Sequence, residues 1–263
     1  MAQPPTARRL APIVLALTLG TFPAAVAHAE DWSWSLTPYL WASSVALDLE
    51  VGGEPVLGGD AAFGDLLKKT DLAFMAHFEG RRGRHGFFAD LIYFDLSDSK
   101  GVSVGPPSLG LEATSASDLG MSIVELGGLW NPSGDGLGFG LLYGLRLVDV
   151  DAESRFRLAL PGQPSTRVRI ADTLVDGMLG VRYRGELSSR WSYGLRADLS
   201  AGGTDGAWNA LLLVSYELGS SGKYRLDLAY RYLEMEVEGD GGGFDRELEI
   251  ALSGPIVGVE IGW

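Results

Sequence analysis

The sequence predicts an all-β chain folded as a single antiparallel up-and-down β-barrel of about ten strands, eight and twelve being the neighbouring even counts. Three observations carry the prediction. Apolar and polar residues alternate with period two along nearly every run between turn signals. Past the leader, no stretch reaches the roughly 18 consecutive apolar residues of a spanning helix, so a membrane crossing requires a closed barrel. The connections alternate between tight turns and longer loops, and the last run ends on an aromatic residue, Trp263.

Residues 1–29 read as a secretory signal, and residues 30–263 as one barrel domain. Arg8 and Arg9 supply the positive region, Leu10 to Val26 the apolar one, and Ala27-His28-Ala29 the small-residue cleavage site before Glu30. The surroundings of the Arg8-Arg9 pair fit twin-arginine export poorly, which favours ordinary unfolded export. Of 263 residues, 46% are hydrophobic, 21% charged and none is cysteine, so the chain is neither disordered nor disulfide-stapled and thiol chemistry is excluded. Losing the leader's two arginines moves the net charge from −13 to about −15. A surface that acidic argues against nucleic acid as a partner.

In order, the runs are 32–51, 71–82, 86–104, 110–131, 136–158, 167–186, 190–202, 206–218, 223–238 and 246–263. Tight turns fall at Arg82 to His85, Asn131 to Gly136, Leu187 to Arg190 and Gly219 to Lys223. Longer connections fall at Gly52 to Thr70, Gly105 to Leu109, Pro161 to Thr166 and Gly239 to Asp245, with one short exception at Gly202 to Gly206. An even strand count, short turns at one end and long loops at the other predict an outer-membrane barrel with both termini periplasmic. The run from Trp191 shows the alternation: Trp191, Tyr193, Leu195, Ala197 and Leu199 on one phase, Ser192, Gly194, Arg196, Asp198 and Ser200 on the other.

A soluble β-sandwich with one wet face also alternates. Against it, the polar phase of the fifth run reads Gly138, Gly140, Leu142, Gly144 and Arg146, small residues that suit a crowded lumen. Aromatics recur near run ends, at Trp32, Trp34, Trp130, Tyr183, Trp191, Trp208, Tyr216, Tyr224 and Trp263, as an interfacial girdle requires. Val257, Val259, Ile261 and Trp263 share one phase of the last run, and this alternating strand with a terminal aromatic resembles the signal read by the barrel assembly machinery.

Several segments resemble an uncharacterised family of proteobacterial outer-membrane β-barrel proteins: Pro38-Tyr39-Leu40-Trp41, Phe63-Gly64-Asp65-Leu66-Leu67, Asp198 to Asn209, Tyr230-Arg231-Tyr232-Leu233 and Ser253-Gly254-Pro255. The connection at Gly202 to Gly206 is shorter than is usual there. The resemblance implies a fold and a location in the Gram-negative outer membrane, in contact with lipid and lipopolysaccharide, and no activity.

Two sets of residues are candidates for function. The inward phase collects Glu79, Asp90, Glu125, Asp176, Asp198, Glu217, Asp227 and Glu260 against Arg146, Arg182, Arg184, Arg196, Arg225 and Arg231. Such a set either pairs and fills a narrow barrel or leaves a charged polar path for small solutes. The other set is an acidic loop, Glu234, Glu236, Glu238, Asp240 and Asp245, either a solvated hairpin or a site for a divalent cation. His77 with Glu79 is the one candidate base and orienter, but no serine motif accompanies them. The expectation is a non-enzymatic barrel, structural or interacting through its loops, without cofactor or metal. A narrow channel is the alternative and a hydrolase the third reading.

Overall fold

The computed structural model describes residues 32–51, 54–61, 70–103, 112–158, 166–241 and 244–263. The expected leader, residues 1–29, and most of the longer connections lie outside these residues. Among the described residues twelve strands form: β1 (Ser33–Trp41), β2 (Ser44–Val51), β3 (Glu54–Ala61), β4 (Thr70–Arg82), β5 (His85–Ser103), β6 (Glu112–Trp130), β7 (Gly138–Leu158), β8 (Thr166–Glu186), β9 (Trp191–Gly202), β10 (Gly206–Leu218), β11 (Tyr224–Gly241) and β12 (Phe244–Gly262). β1 pairs with β4 on one side and β12 on the other, and β4 to β12 pair in sequence, all antiparallel, so ten strands close a ring. Closure leaves the ten-stranded ring itself without an edge strand, which is what lets a sheet cross a bilayer.

The chain departs from the expected boundaries in three places. The first run, 32–51, is two strands. Beyond Pro38 the pairing with β4 ends, and β2 stays on β12 while taking β3 as its other neighbour. Part of the expected loop at 52–70 is therefore β3, a strand outside the closed ring. The acidic set lies on the β11–β12 hairpin, which is paired as far as Gly241 opposite Phe244, so most of the connection expected at 239–245 is strand. Glu234, Glu236, Glu238 and Asp240 are strand residues of β11 and Asp245 of β12, because alternating Glu-Met-Glu-Val-Glu sustains a ladder as well as any apolar run.

The outward phase is an apolar belt between two aromatic rings. On β10 the outward residues Ala210, Leu212 and Val214 run from Trp208 to Tyr216, a span of about 26 Å along the strand. Leu179 on β8 and Leu199 on β9 are 65% and 68% exposed, a cost in water and a gain in hydrocarbon. Trp130, Trp191, Tyr216, Tyr224 and Trp263 lie toward the turn end of the belt, whereas Trp208, stacked on Tyr232 at 4.6 Å, marks the loop end. Val257, Val259 and Trp263 face outward in β12 and just after it, and Trp263 exchanges both backbone hydrogen bonds with Trp34.

The inward phase is less polar than the alternation predicts. Its loop-end half is a dry apolar plug of Met75, Ile92, Met121, Ile123, Val148, Leu233, Met235 and Leu252, all buried. These residues belong to the same phases as the lumen charges. Period two reports which wall a residue faces and carries no information on how far along the axis it sits.

Candidate functional site: the lumen

At mid-height the lumen is crossed by a closed charge network. β6 and β11 stand opposite each other in the ring, and Arg231 Nη2 donates across the full width to Glu125 Oε1 at 2.8 Å. Arg146 Nε reaches the same oxygen at 3.1 Å, and Arg196 Nη2 takes Oε2 at 2.7 Å. Asp198 accepts from Arg146 Nη2 at 2.5 Å, Arg196 Nε at 2.7 Å and Asn209 Nδ2 at 2.8 Å. Asn209 Oδ1 in turn accepts from Arg231 Nε at 2.7 Å. Arg196 lies over the Phe88 ring and Arg231 over Trp41, at 5.3 and 5.2 Å. Glu125 and Arg146 are 0% exposed. Buried ions are tolerated when each lone pair and N–H has a partner, and these charge-assisted, multiply shared bonds meet that condition.

Small inward residues make room for this layer. A Cβ on Gly127 would stand 2.6 Å from the Phe88 ring, and one on Gly144 would strike the backbone oxygen of Leu126. Toward the loop end, Arg146 Nη1 donates to Ser200 Oγ at 2.9 Å, and Ser200 Oγ donates to Asp176 at 3.0 Å. Asp176 also accepts from the Thr204 backbone N–H and hydroxyl at 2.9 and 2.7 Å. The Asp198 to Asn209 segment thus supplies four members of one network, Asp198, Ser200, Thr204 and Asn209. Its short glycine-rich turn is pinned from inside.

Toward the turn end the network opens. Asp90 accepts from the Tyr39 hydroxyl at 2.7 Å and contacts His77 Nδ1 at 2.9 Å, while Arg231 Nη1 stands 3.7 Å away. His77 Nε2 is 3.6 Å from Glu79. The expected His77–Glu79 pair is therefore the longer half of an Asp90–His77–Glu79 chain, and both ring nitrogens face carboxylates. Glu79 gathers Arg182 at 2.9 Å and Arg184 at 3.1 Å on Oε2, with Arg81 Nε 2.9 Å from Oε1 but not aligned for a hydrogen bond. Arg225 pairs with Glu260 at 2.7 Å, and Glu217 faces Arg225 in register. Asp227 is buried with Oδ1 lacking a donor.

Between the two levels lies a cavity of about 140 Å³, with a vestibule of about 290 Å³ at the turn end. Leu129, Leu142, Leu211 and Leu213 line the cavity together with Glu79, Arg182 and Arg184. Among the acidic hairpin residues, the Glu234 carboxylate takes Trp208 Nε1 at 3.0 Å and the Tyr232 hydroxyl. The side chains of Glu238, Asp240 and Asp245 lie outside the described residues, and among the described ones no group of three His, Asp or Glu is placed to hold a metal ion.

The inward participants the charge pattern missed are Tyr39, Trp41, Ser200, Thr204 and Asn209. The signal was present: Thr37, Tyr39 and Trp41 share one phase of β1, and the outward residues Leu36 and Leu40 share the other.

No family model matches this chain, and no curated protein matches it. Among solved structures, it is similar to the outer membrane protease OmpT from Escherichia coli, with 9% identity and a TM-score of 0.49 over 91% of this chain and 99% of that one. It is also similar to the translocator domain of the autotransporter NalP from Neisseria meningitidis, with 14% identity and a TM-score of 0.46 over 89% of each chain. A Pseudomonas aeruginosa FadL homologue follows at 8% identity and a TM-score of 0.31, over 88% of this chain and 90% of that one. What those proteins cleave, translocate or carry is not transferred to this chain, whose barrel rests on its own closed strand order and apolar belt.

Proposed function

We propose that this chain is a non-enzymatic outer-membrane barrel that acts through its projecting hairpins, with both termini on the periplasmic side. The observation that carries this reading is the filled lumen: the Arg231–Glu125 bridge spans its width, and an apolar plug lies above it. A path for small polar solutes would have to cross both layers. The hairpins supply the surface instead. Past the Thr173–Asp149 hydrogen bond at the belt's edge, β7 continues to Leu158, roughly 30 Å of further strand. β5, β6 and β8 extend alongside it.

Catalysis is disfavoured by the same geometry. His77 has carboxylates at both nitrogens, leaving neither free to take a substrate proton. The last strand, with Val257, Val259, Ile261 and Trp263 facing out, is the segment the assembly machinery would read during biogenesis.

Planar-bilayer recording of the purified full chain tests the reading. The expected record holds no steady unitary current at any salt concentration. Stable currents that scale with salt would overturn it in favour of a channel.

A further inference from the structure

The turn-end cavity has an apolar wall, a cationic mouth and one weak side, and these three features together point to a ligand. The first is the leucine wall. On β10 the inward Leu211 stands level with Arg196 and Arg231 of the neighbouring strands and Leu213 level with Gly194 and Ala229, and Leu129 and Leu142 line the same cavity. Water in such a space finds few partners, and a cavity of about 140 Å³ is of the size that takes an apolar group about as large as benzene.

The second feature is charge accessibility. The turn-end half holds nearly balanced charges: Arg81, Arg182, Arg184, Arg225 and Lys223 against Glu79, Asp227, Glu260 and Glu217. They are not equally presented. The side chains of Arg81, Arg184 and Arg225 are 26%, 27% and 36% exposed, against 4% for Glu79 and 17% for Glu260. The unpaired Asp227 oxygen is itself covered. The surface met by an entering molecule is therefore guanidinium.

The third feature is the β1–β12 seam that walls the cavity with Thr37, Tyr39, Ile256 and Gly258. Trp34 and Trp263 exchange both backbone bonds, and Ala42 N donates to Pro255 O at 2.8 Å. The hydrogen-bonded positions of the seam are then 34, 36, 38, 40 and 42, opposite 263, 261, 259, 257 and 255. Prolines occupy two of them. Pro38 and Pro255 each remove an N–H that would otherwise cross this seam, and no other. The pairing runs through Ser35–Leu36 and through Tyr39–Trp41 and lapses between them. The lapse lies on the belt, beside the exposed Val257 and Val259.

We propose that the cavity binds a short-chain, single-chain amphiphile with an anionic head, taken sideways from the membrane through the β1–β12 seam. The chain lies against Leu129, Leu142, Leu211 and Leu213. The head is held by Arg184, with Arg81 and Arg225 behind it in the vestibule. The proposal is independent of what the hairpins contact, so its failure leaves the closed, hairpin-mediated reading intact.

The test uses the full chain in nanodiscs of phosphatidylcholine, with hexanoate as probe and hexyltrimethylammonium as the charge-reversed control, bound ligand being counted by native mass spectrometry. Hexanoate is expected to bind saturably at one site, and the control at least about tenfold more weakly, or about 1.4 kcal/mol. Equal or tighter binding of the control overturns the anionic head. Gly194→Leu fills the cavity from a position where an added Cβ meets nothing closer than 3.6 Å, and it is expected to abolish binding. Leu213→Trp serves as a second filling variant should the first fail to fold. Undiminished binding by a folded filling variant overturns the site.

A disulfide between Ser35→Cys and Gly262→Cys, directly opposed in the seam, is expected to slow uptake several-fold when oxidised and to release it on reduction, with affinity unchanged. Uptake at the same rate in both states overturns the lateral route.

Discussion

The middle and the turn end of the lumen are built from the same two residue types, arginine and carboxylate, with opposite results. At mid-height Arg146, Arg196 and Arg231 meet Glu125, Asp198 and Asn209 in a mutually saturating set, with Glu125 and Arg146 wholly covered. At the turn end three arginines converge on Glu79 alone, and two of them reach open space. The first arrangement is a strut, because every group removed strands another in a dry layer. The second leaves two guanidiniums part-exposed and two carboxylate oxygens, Glu79 Oε1 and Asp227 Oδ1, without donors, and is the part of the molecule able to take up a ligand. Stoichiometry and water access, more than residue identity, separate structure from site.

The largest effect is expected where the strut is cut. Glu125→Ala leaves three buried guanidiniums short of their carboxylate and should cost about 3 to 5 kcal/mol. The loss is readable as a lower urea midpoint and as loss of the compact, heat-modifiable band on unboiled gels. A midpoint unchanged from the parent would mean that the layer is hydrated and the contrast with the turn end is false. Next comes the plug. Leu233→Ala, in a residue with no exposure, should cost about 2 to 4 kcal/mol through lost contacts and a cavity.

At the turn end, Arg184→Gln leaves Glu79 with Arg81 and Arg182 and should cost about 1 kcal/mol or less. A loss as large as that of Glu125→Ala would show that the two layers are one cooperative unit. The smallest effect belongs to a turn. Ser133 and the Leu137 backbone N–H donate to Asp135, holding its carboxyl below the usual carboxylate range. Its contribution is therefore present above the unfolded pKa of about 4 and lost as pH falls through the lowered folded value. Acid titration of unfolding in the parent against Asp135→Asn should show a slight pH-dependent difference that closes in acid.

Much of this was legible beforehand. Nine of the expected runs overlie strands within a few residues, and 206–218 coincides with β10. The outward phase of the last strand was also read as it stands. The divided first run was not legible, because Ser44 to Val51 alternates as well as Ser33 to Trp41 and only the change of partner from β4 to β3 separates them. The acidic hairpin reaches further than the runs implied: the connection expected at 239–245 is paired strand up to Gly241 and from Phe244, since paired strands beyond the bilayer need no apolar face.

Period two, turn chemistry and the aromatic rings are local properties, and from them follow the barrel, its inward and outward faces and the inventory of lumen charges. Which charge meets which depends on ring order and register. Glu125 and Arg231 are about a hundred residues apart, and they touch only because β6 and β11 face each other once ten strands have closed. The same closure sorts one inward phase into plug, strut and cavity by height along the axis, and brings Pro38 opposite the last strand, where its missing N–H weakens a single seam.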